Sequence, residues 1–237
     1  MMGLSSNTNH SDFGVIFLNI LYTLDKVSYT INNIKTNNGA FVNKKGLIII
    51  ISGPSGVGKK TIIDQFINDT ELNLSYSVSM TTREPREGEM NGVDYFFVSD
   101  EEFTKAIENN ELLEWAEFAK NKYGTPLKKV YEEIEKGKNV ILEIEVKGAT
   151  DVIKKIKRED FVSIFIIPPS IKELKRRLKK RDTEDRKKIR MRIKRAKEEI
   201  KMTKDYDHVV LNDDATRAAI EMKKIILGDI YRVNKEK

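Results

Sequence analysis

The sequence predicts an α/β protein with a parallel central sheet flanked by helices. The first observation is the continuous β-branched run Leu47–Ile51, which is typical of a strand buried on both faces of a parallel sheet. The second is a set of similar short apolar runs further along the chain. The third is that helical patterns lie between these runs, and strands that alternate with helices predict crossover connections and parallel pairing.

The predicted elements follow each other in a consistent order after residue 45. A Gly-rich turn follows the first strand and leads into a helix predicted over residues 59–68, whose apolar residues share one face. The further strand-like runs are Val140–Leu142, Phe161–Ile167 and Val209–Leu211. The other predicted helices cover residues 100–109, 127–135, 171–180, 189–201 and 215–226. Residues 75–98 are polar and turn-rich, and they predict a small β-rich insertion.

The composition fits one mid-sized domain with a heavily charged surface. Of the 237 residues, 39% are hydrophobic and 34% are charged, and no apolar run approaches the ~18 residues that would span a bilayer. Cysteine is absent and the only histidines are His10 and His208, so disulfides and thiolate metal sites are excluded and a His-based metal cluster or catalytic triad is disfavoured. The formal net charge of +6 favours an anionic partner, such as a nucleotide, a nucleic acid or a membrane.

Residues 1–44 differ from the rest in being rich in Asn, Ser and Thr. We expect an N-terminal extension there that is disordered or loosely packed, followed by a globular domain over residues 45–237. The apolar stretch Phe13–Leu24 has the length of a signal-peptide core, but no basic residue precedes it and the first is Lys26. A removed targeting segment is the alternative interpretation, and we expect a cytoplasmic protein.

The turn after the first strand has the composition of a phosphate-binding loop. Its residues are Gly53, Pro54, Ser55, Gly56, Val57, Gly58 and Lys59. Glycines let the backbone wrap closely around an anion and direct several N–H groups at it, and the following helix adds the positive end of its dipole. Lys59 can reach the β and γ phosphates of a nucleoside triphosphate. The preceding strand and the following helix supply the context that this motif requires.

One position departs from the usual loop and concerns the Mg²⁺ that accompanies ATP. Most such loops place Ser or Thr after the lysine, and its hydroxyl contacts the ion. Here that position is Lys60, and Thr61 comes next. Either Thr61 takes over as a ligand, or nucleotide oxygens, water and a distant carboxylate hold the ion, and both alternatives stay open.

Several further motifs follow the loop in one order. They are Ser79–Glu89, Gly92–Tyr95, Leu113–Ala116, Tyr123–Thr125 and Val140–Glu145. With the phosphate loop, their order and spacing resemble the guanylate kinase family over about residues 45–237. The resemblance implies a P-loop kinase fold with a GMP-binding insertion over residues 78–126 and a helical lid over residues 172–203. It also implies ATP and GMP as substrates and Mg²⁺ as cofactor.

The resemblance assigns roles to residues of the insertion. Arg83 and Arg86 match arginines that bind the GMP phosphate, and the hydroxyls of Tyr95 and Tyr123 match further contacts to it. Two guanidiniums and two phenols suit a dianion. The full GMP-binding set that the resemblance implies is Ser79, Arg83, Arg86, Glu89, Tyr95, Glu114, Tyr123, Thr125, Glu143, Glu145 and Arg192.

Guanine presents N1–H and N2–H₂ donors beside its O6 acceptor. By the resemblance, Glu114 and Glu145 accept from the donors and Ser79 donates to O6. Adenine inverts this pattern and leaves buried carboxylates unpaired, a mismatch that can discriminate by ~10⁴ or more. The chain departs from the family at Glu143 and Glu145, where Asp is usual, so both side chains are one methylene longer.

Residues 172–204 are dense in Lys and Arg, and their periodic apolar residues predict two amphipathic helices. In the family this region is the lid, whose arginines, matched here by Arg181 and Arg192, close on ATP. Asn212 matches a family position near the adenine, although a plain turn Asn explains it almost as well. The implied catalytic residues are Lys59, Arg83, Arg181 and Arg192, and the implied ATP contacts are the loop through Thr61 with Arg181 and Asn212.

The sequence therefore predicts an ATP:GMP phosphotransferase that needs no general base, because the acceptor phosphate is mostly a dianion near neutral pH. The alternatives are an inactive guanylate-kinase-like domain that binds proteins, a kinase for another monophosphate such as AMP or dGMP, and an RNA-binding protein. The presence of Lys59, Arg181 and Arg192 disfavours the first, and the last lacks an aromatic-rich recognition motif. We expect no nucleic-acid or membrane partner and a monomer or weak dimer.

Overall fold

The computed structural model describes residues 46–118, 120–180 and 186–235. Five strands form the central sheet: β1 (Ile48–Ser52), β2 (Leu74–Tyr76), β7 (Asn139–Glu143), β8 (Phe161–Ile167) and β9 (His208–Leu211). Their order is β2-β7-β1-β8-β9, and every neighbouring pair is parallel. The carboxyl ends of the strands therefore meet at one edge of the sheet.

The middle strand, β1, lies between β7 and β8 and is buried along its whole length. Its isoleucines suit a position covered on both faces, where β-branched side chains pack well on the pleated surface. In the β1–β7 register, Ile51 lies opposite Glu143. Glu143 is therefore beside the end of β1 that enters the Gly-rich turn.

Seven α-helices lie in the described ranges: α1 (Lys59–Ile63), α2 (Asp100–Glu108), α3 (Leu127–Glu135), α4 (Val146–Lys155), α5 (Ile171–Lys180), α6 (Arg186–Ile200) and α7 (Ala215–Lys235). They are amphipathic where they cover the sheet; α4, for example, buries Val146, Ala149 and Val152. None of them is long and apolar enough to cross a bilayer.

A second, four-stranded sheet stands apart from the central one. It consists of β3 (Met80–Thr81), β4 (Phe96–Phe97), β5 (Leu112–Phe118) and β6 (Asn121–Pro126), in the order β4-β3-β6-β5. Helix α2 packs against it, and Phe103, Ala106 and Leu112 form its small core. Ser99 starts α2 with a capping box, because it accepts from the Glu102 amide while Glu102 accepts from the Ser99 amide.

The structure confirms the parallel α/β fold and the four predicted strand runs, and it corrects several boundaries. Helix α1 ends at Ile63 instead of residue 68, because the amides of Gln65 and Phe66 bond three residues back and tighten the chain into turns. Helix α6 begins at residue 186 and α7 continues to residue 235. Helix α4 was not predicted, and Ser75 belongs to β2 of the central sheet instead of the insertion.

Candidate active site

The Gly-rich turn between β1 and α1 has the backbone of a phosphate-binding loop. Gly53, Gly56 and Gly58 have φ angles of 147°, 85° and 101°, in the region that favours glycine. A Cβ at Gly53 would lie 2.4 Å from the carbonyl oxygen of Ile166, and one at Gly58 would lie 2.6 Å from the side-chain nitrogen of Asn212. Both the φ angles and the close neighbours therefore require glycine here.

The side chains of Asn212 and Arg177 hydrogen-bond to the backbone of the loop. Asn212 is 4% exposed, and its amide donates to the Val57 carbonyl at 2.7 Å. Arg177 on α5 donates to the same carbonyl at 3.1 Å and to the Asn212 carbonyl at 2.9 Å. Glu173 accepts from the Arg177 Nε at 2.9 Å and so orients the guanidinium. An adenine contact for Asn212 stays a prediction, and Arg177 is a loop-supporting residue that sequence reasoning missed.

The two lysines at the start of α1 have different surroundings. The Lys59 Nζ donates to the Gly53 carbonyl at 3.0 Å, so its side chain folds back along the loop. The Lys60 side chain is 74% exposed and pairs with Asp64 at 3.0 Å, and the neighbouring Thr61 is exposed as well. The Lys60 ammonium therefore lies on the solvent side of α1. Within the ranges that the structure describes, no group of three or more His, Asp or Glu side chains is placed to hold a metal ion.

A small cavity of about 80 Å³ lies beside the loop. Its lining residues are Gly53, Ser55, Lys59, Glu145, Val146, Arg192, Arg195 and Glu199. Two arginines of α6 contact its walls, since Arg192 donates to the Ser55 hydroxyl and Arg195 to the Glu145 carboxylate. Of the two predicted lid arginines, Arg192 thus contacts the loop, whereas Arg181 lies outside the described residues.

A larger cavity of about 290 Å³ lies between the second sheet and the carboxyl end of β7. Its lining residues are Ser79, Tyr95, Glu114, Ala116, Tyr123, Gly124, Glu143, Ile144 and Glu145. Glu145 lines both cavities, so the two spaces meet at this side chain. We call the smaller space the loop cavity and the larger one the acidic cavity.

Glu114 is the most deeply buried carboxylate of the acidic cavity, with 7% of its surface exposed. The Thr125 hydroxyl donates to its Oε1 at 2.7 Å. Burial raises the pKa of Glu114, and the Thr125 hydrogen bond partly offsets this. Gly148, in the first turn of α4, lies against the other oxygen, since a Cβ there would be 2.5 Å from Oε2. Glycine at 148 leaves room for the carboxylate, a requirement that sequence reasoning missed.

The predicted phosphate-binding side chains of the second sheet come together around Arg83. Its guanidinium pairs with Glu89 at 2.9 Å and lies 5.3 Å from the centre of the Tyr95 ring, against which the Tyr123 ring packs. The two tyrosine rings meet edge to face at 6.0 Å. The other Glu89 oxygen accepts from the Arg86 amide at 2.7 Å, and the bond from Arg83 lowers the pKa of Glu89. The Glu89 carboxylate thus orders the side chain of Arg83 and the backbone of Arg86. Arg86 itself is exposed.

The two lengthened acids at the carboxyl end of β7, Glu143 and Glu145, each have a partner that sequence reasoning missed. Glu143 accepts from the Tyr76 hydroxyl at 2.6 Å, and Glu145 accepts from Arg195. Tyr76 reaches Glu143 because β2 pairs with β7, with Tyr76 opposite Ile141. Tyr76 and Glu143 are 67 residues apart in the sequence, and Arg195 is 50 residues from Glu145, so no local pattern reveals either contact.

A glycine-rich loop that follows the middle strand of a parallel sheet and opens a helix makes this chain a P-loop protein of the α/β class. Comparison with known proteins identifies the family within this class. A family model described as guanylate kinase matches residues 45–228, and the chain belongs to the guanylate kinase family.

Individual relatives agree with the family model. A guanylate kinase of Malacoplasma penetrans is 68% identical over 184 residues, which cover 78% of this chain and 94% of that one. A guanylate kinase of Mesoplasma florum is 52% identical over 188 residues, which cover 79% of this chain and 63% of that one. A crystal structure of guanylate kinase from Anaplasma phagocytophilum superposes with a TM-score of 0.60 at 37% identity, and the match covers 77% of this chain and 85% of that one.

Proposed function

We propose that the chain transfers the γ-phosphoryl group of ATP to GMP and forms ADP and GDP. The observation that carries the proposal is the meeting of the two cavities at Glu145. One cavity adjoins a loop built for phosphates, and the other combines the buried Glu114 carboxylate with two tyrosines of the cluster around Arg83. A donor and an acceptor nucleotide that occupy them would bring their phosphates toward each other.

The donor binds at the loop in this proposal. Backbone N–H groups of the loop after Pro54 hold the β and γ phosphates, and Lys59 leaves its contact with the Gly53 carbonyl to reach them. Arg192, already at Ser55, adds positive charge on the lid side, and Arg181 joins it. Asn212 and Arg177 keep the loop in the shape that these contacts need.

The acceptor binds in the acidic cavity. Arg83, Arg86, Tyr95 and Tyr123 take its phosphate, which suits a dianion. Ser79, Glu114 and Glu145 read the guanine edge, with carboxylates toward its two donors. The burial of Glu114 supports this role, because a base without donors would leave that carboxylate unpaired in a dry site.

The donor set fits a Mg²⁺ ion that arrives with the nucleotide better than a dedicated protein site. Mg²⁺ keeps several waters and needs only one or two protein oxygens beside substrate phosphates. Lys60 faces solvent with Asp64, which leaves Thr61, or the Glu143 carboxylate through water, to hold the ion. When bound, Mg²⁺ neutralises charge on the phosphates that are transferred or released.

The chemistry needs positioning and charge compensation, and no general base. The acceptor phosphate is already mostly deprotonated near pH 7. The histidine of the described ranges, His208, starts β9 and bonds to Asp229 at 2.8 Å, at the end of the strand away from the loop. Lys59, Arg83, Arg181 and Arg192 stabilise the equatorial oxygens during in-line transfer. Closure of residues 78–126 and 172–203 excludes water that would otherwise hydrolyse ATP.

The experiment that tests the proposal is a panel of monophosphates, with GMP, dGMP, AMP and IMP at equal concentration, assayed for ADP release with ATP and Mg²⁺. We expect GMP to be the best acceptor and AMP to be poorer by ~10⁴-fold in kcat/KM. Arg83→Ala should cut GMP turnover by ~10²-fold without a change in melting temperature. No ADP release with any acceptor would support a protein-binding domain, and a preference for AMP would support a different kinase.

We further propose that the protein acts in the cytoplasm as a monomer or weak dimer and binds neither nucleic acid nor membranes. The net charge of +6 serves the anionic substrates in this proposal. Light scattering after size exclusion measures the oligomeric state. Filter binding of RNA across salt concentrations tests the basic surface, and affinity that persists at moderate salt would contradict the proposal.

A further inference from the structure

Helix α6 brings two arginines to the active site, one turn apart. Arg192 and Arg195 are three residues apart and therefore lie on the same face of the helix. Arg192 contacts the loop at Ser55, whereas Arg195 contacts Glu145, the side chain that lines both cavities. The mechanism above has a role for Arg192 but none for Arg195.

Arg195 is itself oriented by a second carboxylate. Its Nε donates to Glu199 at 2.7 Å, one turn further along α6, and a different nitrogen of the guanidinium donates to Glu145. Glu199 is only 13% exposed in its side chain, so it is a better-fixed anchor than a solvated acid would be. The guanidinium fork therefore spans two acids, a geometry for which arginine is suited and lysine is not.

Glu145 needs such a partner. It occupies the N-cap position of α4, but its side chain makes no capping hydrogen bond, and 48% of that side chain is exposed. A Glu side chain loses substantial rotamer entropy when it is fixed, and the bond from Arg195 offsets part of that cost for Glu145. Glu143, the last residue of β7, is held in a comparable way by the Tyr76 hydroxyl, so each of the two acids at this end of β7 is bonded by a distant side chain.

We propose that Arg195 is a positioning residue for base recognition, which holds one oxygen of Glu145 so that the other can accept from the purine of the acceptor. This inference rests on the proposed function. In this proposal helix α6 contributes to the binding of both substrates, since Arg192 lies on the donor side and Arg195 orders Glu145 on the acceptor side. The alternative role for Arg195 is a direct contact to donor phosphates, because it also lines the loop cavity.

The test compares Arg195→Ala, Arg195→Lys, Glu145→Gln and the double variant Arg195→Ala/Glu145→Gln. The control is Arg190→Ala, which removes one positive charge from an exposed position of the same helix that lines neither cavity. Steady-state kinetics with ATP and GMP gives kcat and both KM values. Calorimetric titration with GMP alone gives acceptor affinity without the donor, and thermal melting verifies that each variant is folded.

We expect Arg195→Ala to raise the KM and the Kd for GMP about 5- to 10-fold, with kcat and the KM for ATP changed by less than about twofold. Arg195→Lys should recover part of this loss, because a point charge pairs with Glu145 less rigidly. In the Glu145→Gln background the removal of Arg195 should have little further effect on GMP, because the charged carboxylate that Arg195 pairs with is gone. Arg190→Ala should match the unmodified chain.

Three results would overturn the inference. One is an unchanged or lower KM for GMP in Arg195→Ala, and another is a loss that adds in full to that of Glu145→Gln. The third is a fall in kcat or in ATP affinity that persists in the double variant, which would make Arg195 a donor-phosphate ligand. If the unmodified chain does not phosphorylate GMP at all, the proposed function fails as well, so the two failures are distinguishable.

Discussion

The donor half and the acceptor half of the active site consist of different chemical groups. The donor half is mainly backbone: a glycine loop between β1 and α1, held by the buried amide of Asn212 and the guanidinium of Arg177. The acceptor half is mainly charged side chains, each held by a partner from another segment, such as Glu114 with Thr125 and Glu145 with Arg195. A backbone cradle suits the phosphates common to all nucleoside triphosphates, whereas side chains suit the recognition of one base. Variants in the two halves should therefore fail in different kinetic parameters.

The largest expected effect is on the donor side. Lys59→Met should lower kcat by at least ~10²-fold, because the ammonium that neutralises the transferring phosphoryl group is lost. The melting temperature should hardly change, because methionine keeps most of the apolar stem of the lysine side chain. Lys60→Met is the matched comparison and should cost less than about threefold, because that side chain points to solvent. Equal losses in both variants would refute the separate roles of the two lysines.

The next effect is on the acceptor side, and it depends on pH. Glu114→Gln should lower kcat/KM for GMP by ~10- to 100-fold, because a charged acceptor of the guanine donors is removed. Because burial raises the pKa of Glu114 above its ordinary 4.5, its favourable contribution to stability is present below that value and is lost as the pH rises through the folded-state pKa.

The glutamine variant has no such loss. The unfolding free energy of Glu114→Gln, measured in urea, should therefore increase relative to that of the unmodified chain as the pH rises from 4 to 8. A variant that becomes relatively less stable at the higher pH would contradict the burial argument.

A smaller effect tests the room around Glu114. Gly148→Ala places a Cβ 2.5 Å from its Oε2 and should shift the carboxylate, so the KM for GMP should rise about tenfold while the KM for ATP stays constant. Stability should not fall, because alanine favours the helix by about 1 kcal/mol. Gly228→Ala is the control, since a Cβ at that position of α7 meets nothing within 4 Å. A loss of ATP affinity in Gly148→Ala would contradict the division between the halves.

The smallest effect concerns the support of the loop. Asn212→Ala removes the 2.7 Å bond to Val57 but leaves the bond from Arg177. The unfolding free energy should fall by about 1–2 kcal/mol and the KM for ATP should rise a few-fold, because a buried carbonyl loses one donor. Urea unfolding and steady-state kinetics measure the two quantities. A comparable change in the KM for GMP would mean that Asn212 supports both halves.

The same division decides what could be predicted from the sequence. The donor loop could be predicted, because strand, glycines, lysine and helix are consecutive and each has a local physical reason. The acceptor residues could be identified only through a resemblance to a family, since Arg83, Glu114 and Glu145 are ordinary surface residue types in isolation. The partners Tyr76, Gly148, Arg177 and Arg195 could not be predicted, because their contacts join distant segments. The predicted length of α1 was wrong, because tight turns replace the last residues of the predicted helix.

The two hydrogen bonds to the Val57 carbonyl have a consequence for the order in which the site forms during synthesis. Its two donors lie 120 and 155 residues further along the chain, on α5 and just after β9. A ribosome makes the glycine loop first and supplies these two supports only 120 and 155 residues later. We therefore expect a nascent chain that stops short of residue 212 to carry the loop without its final shape, so that ATP capture is postponed until β9 and Asn212 have been synthesised.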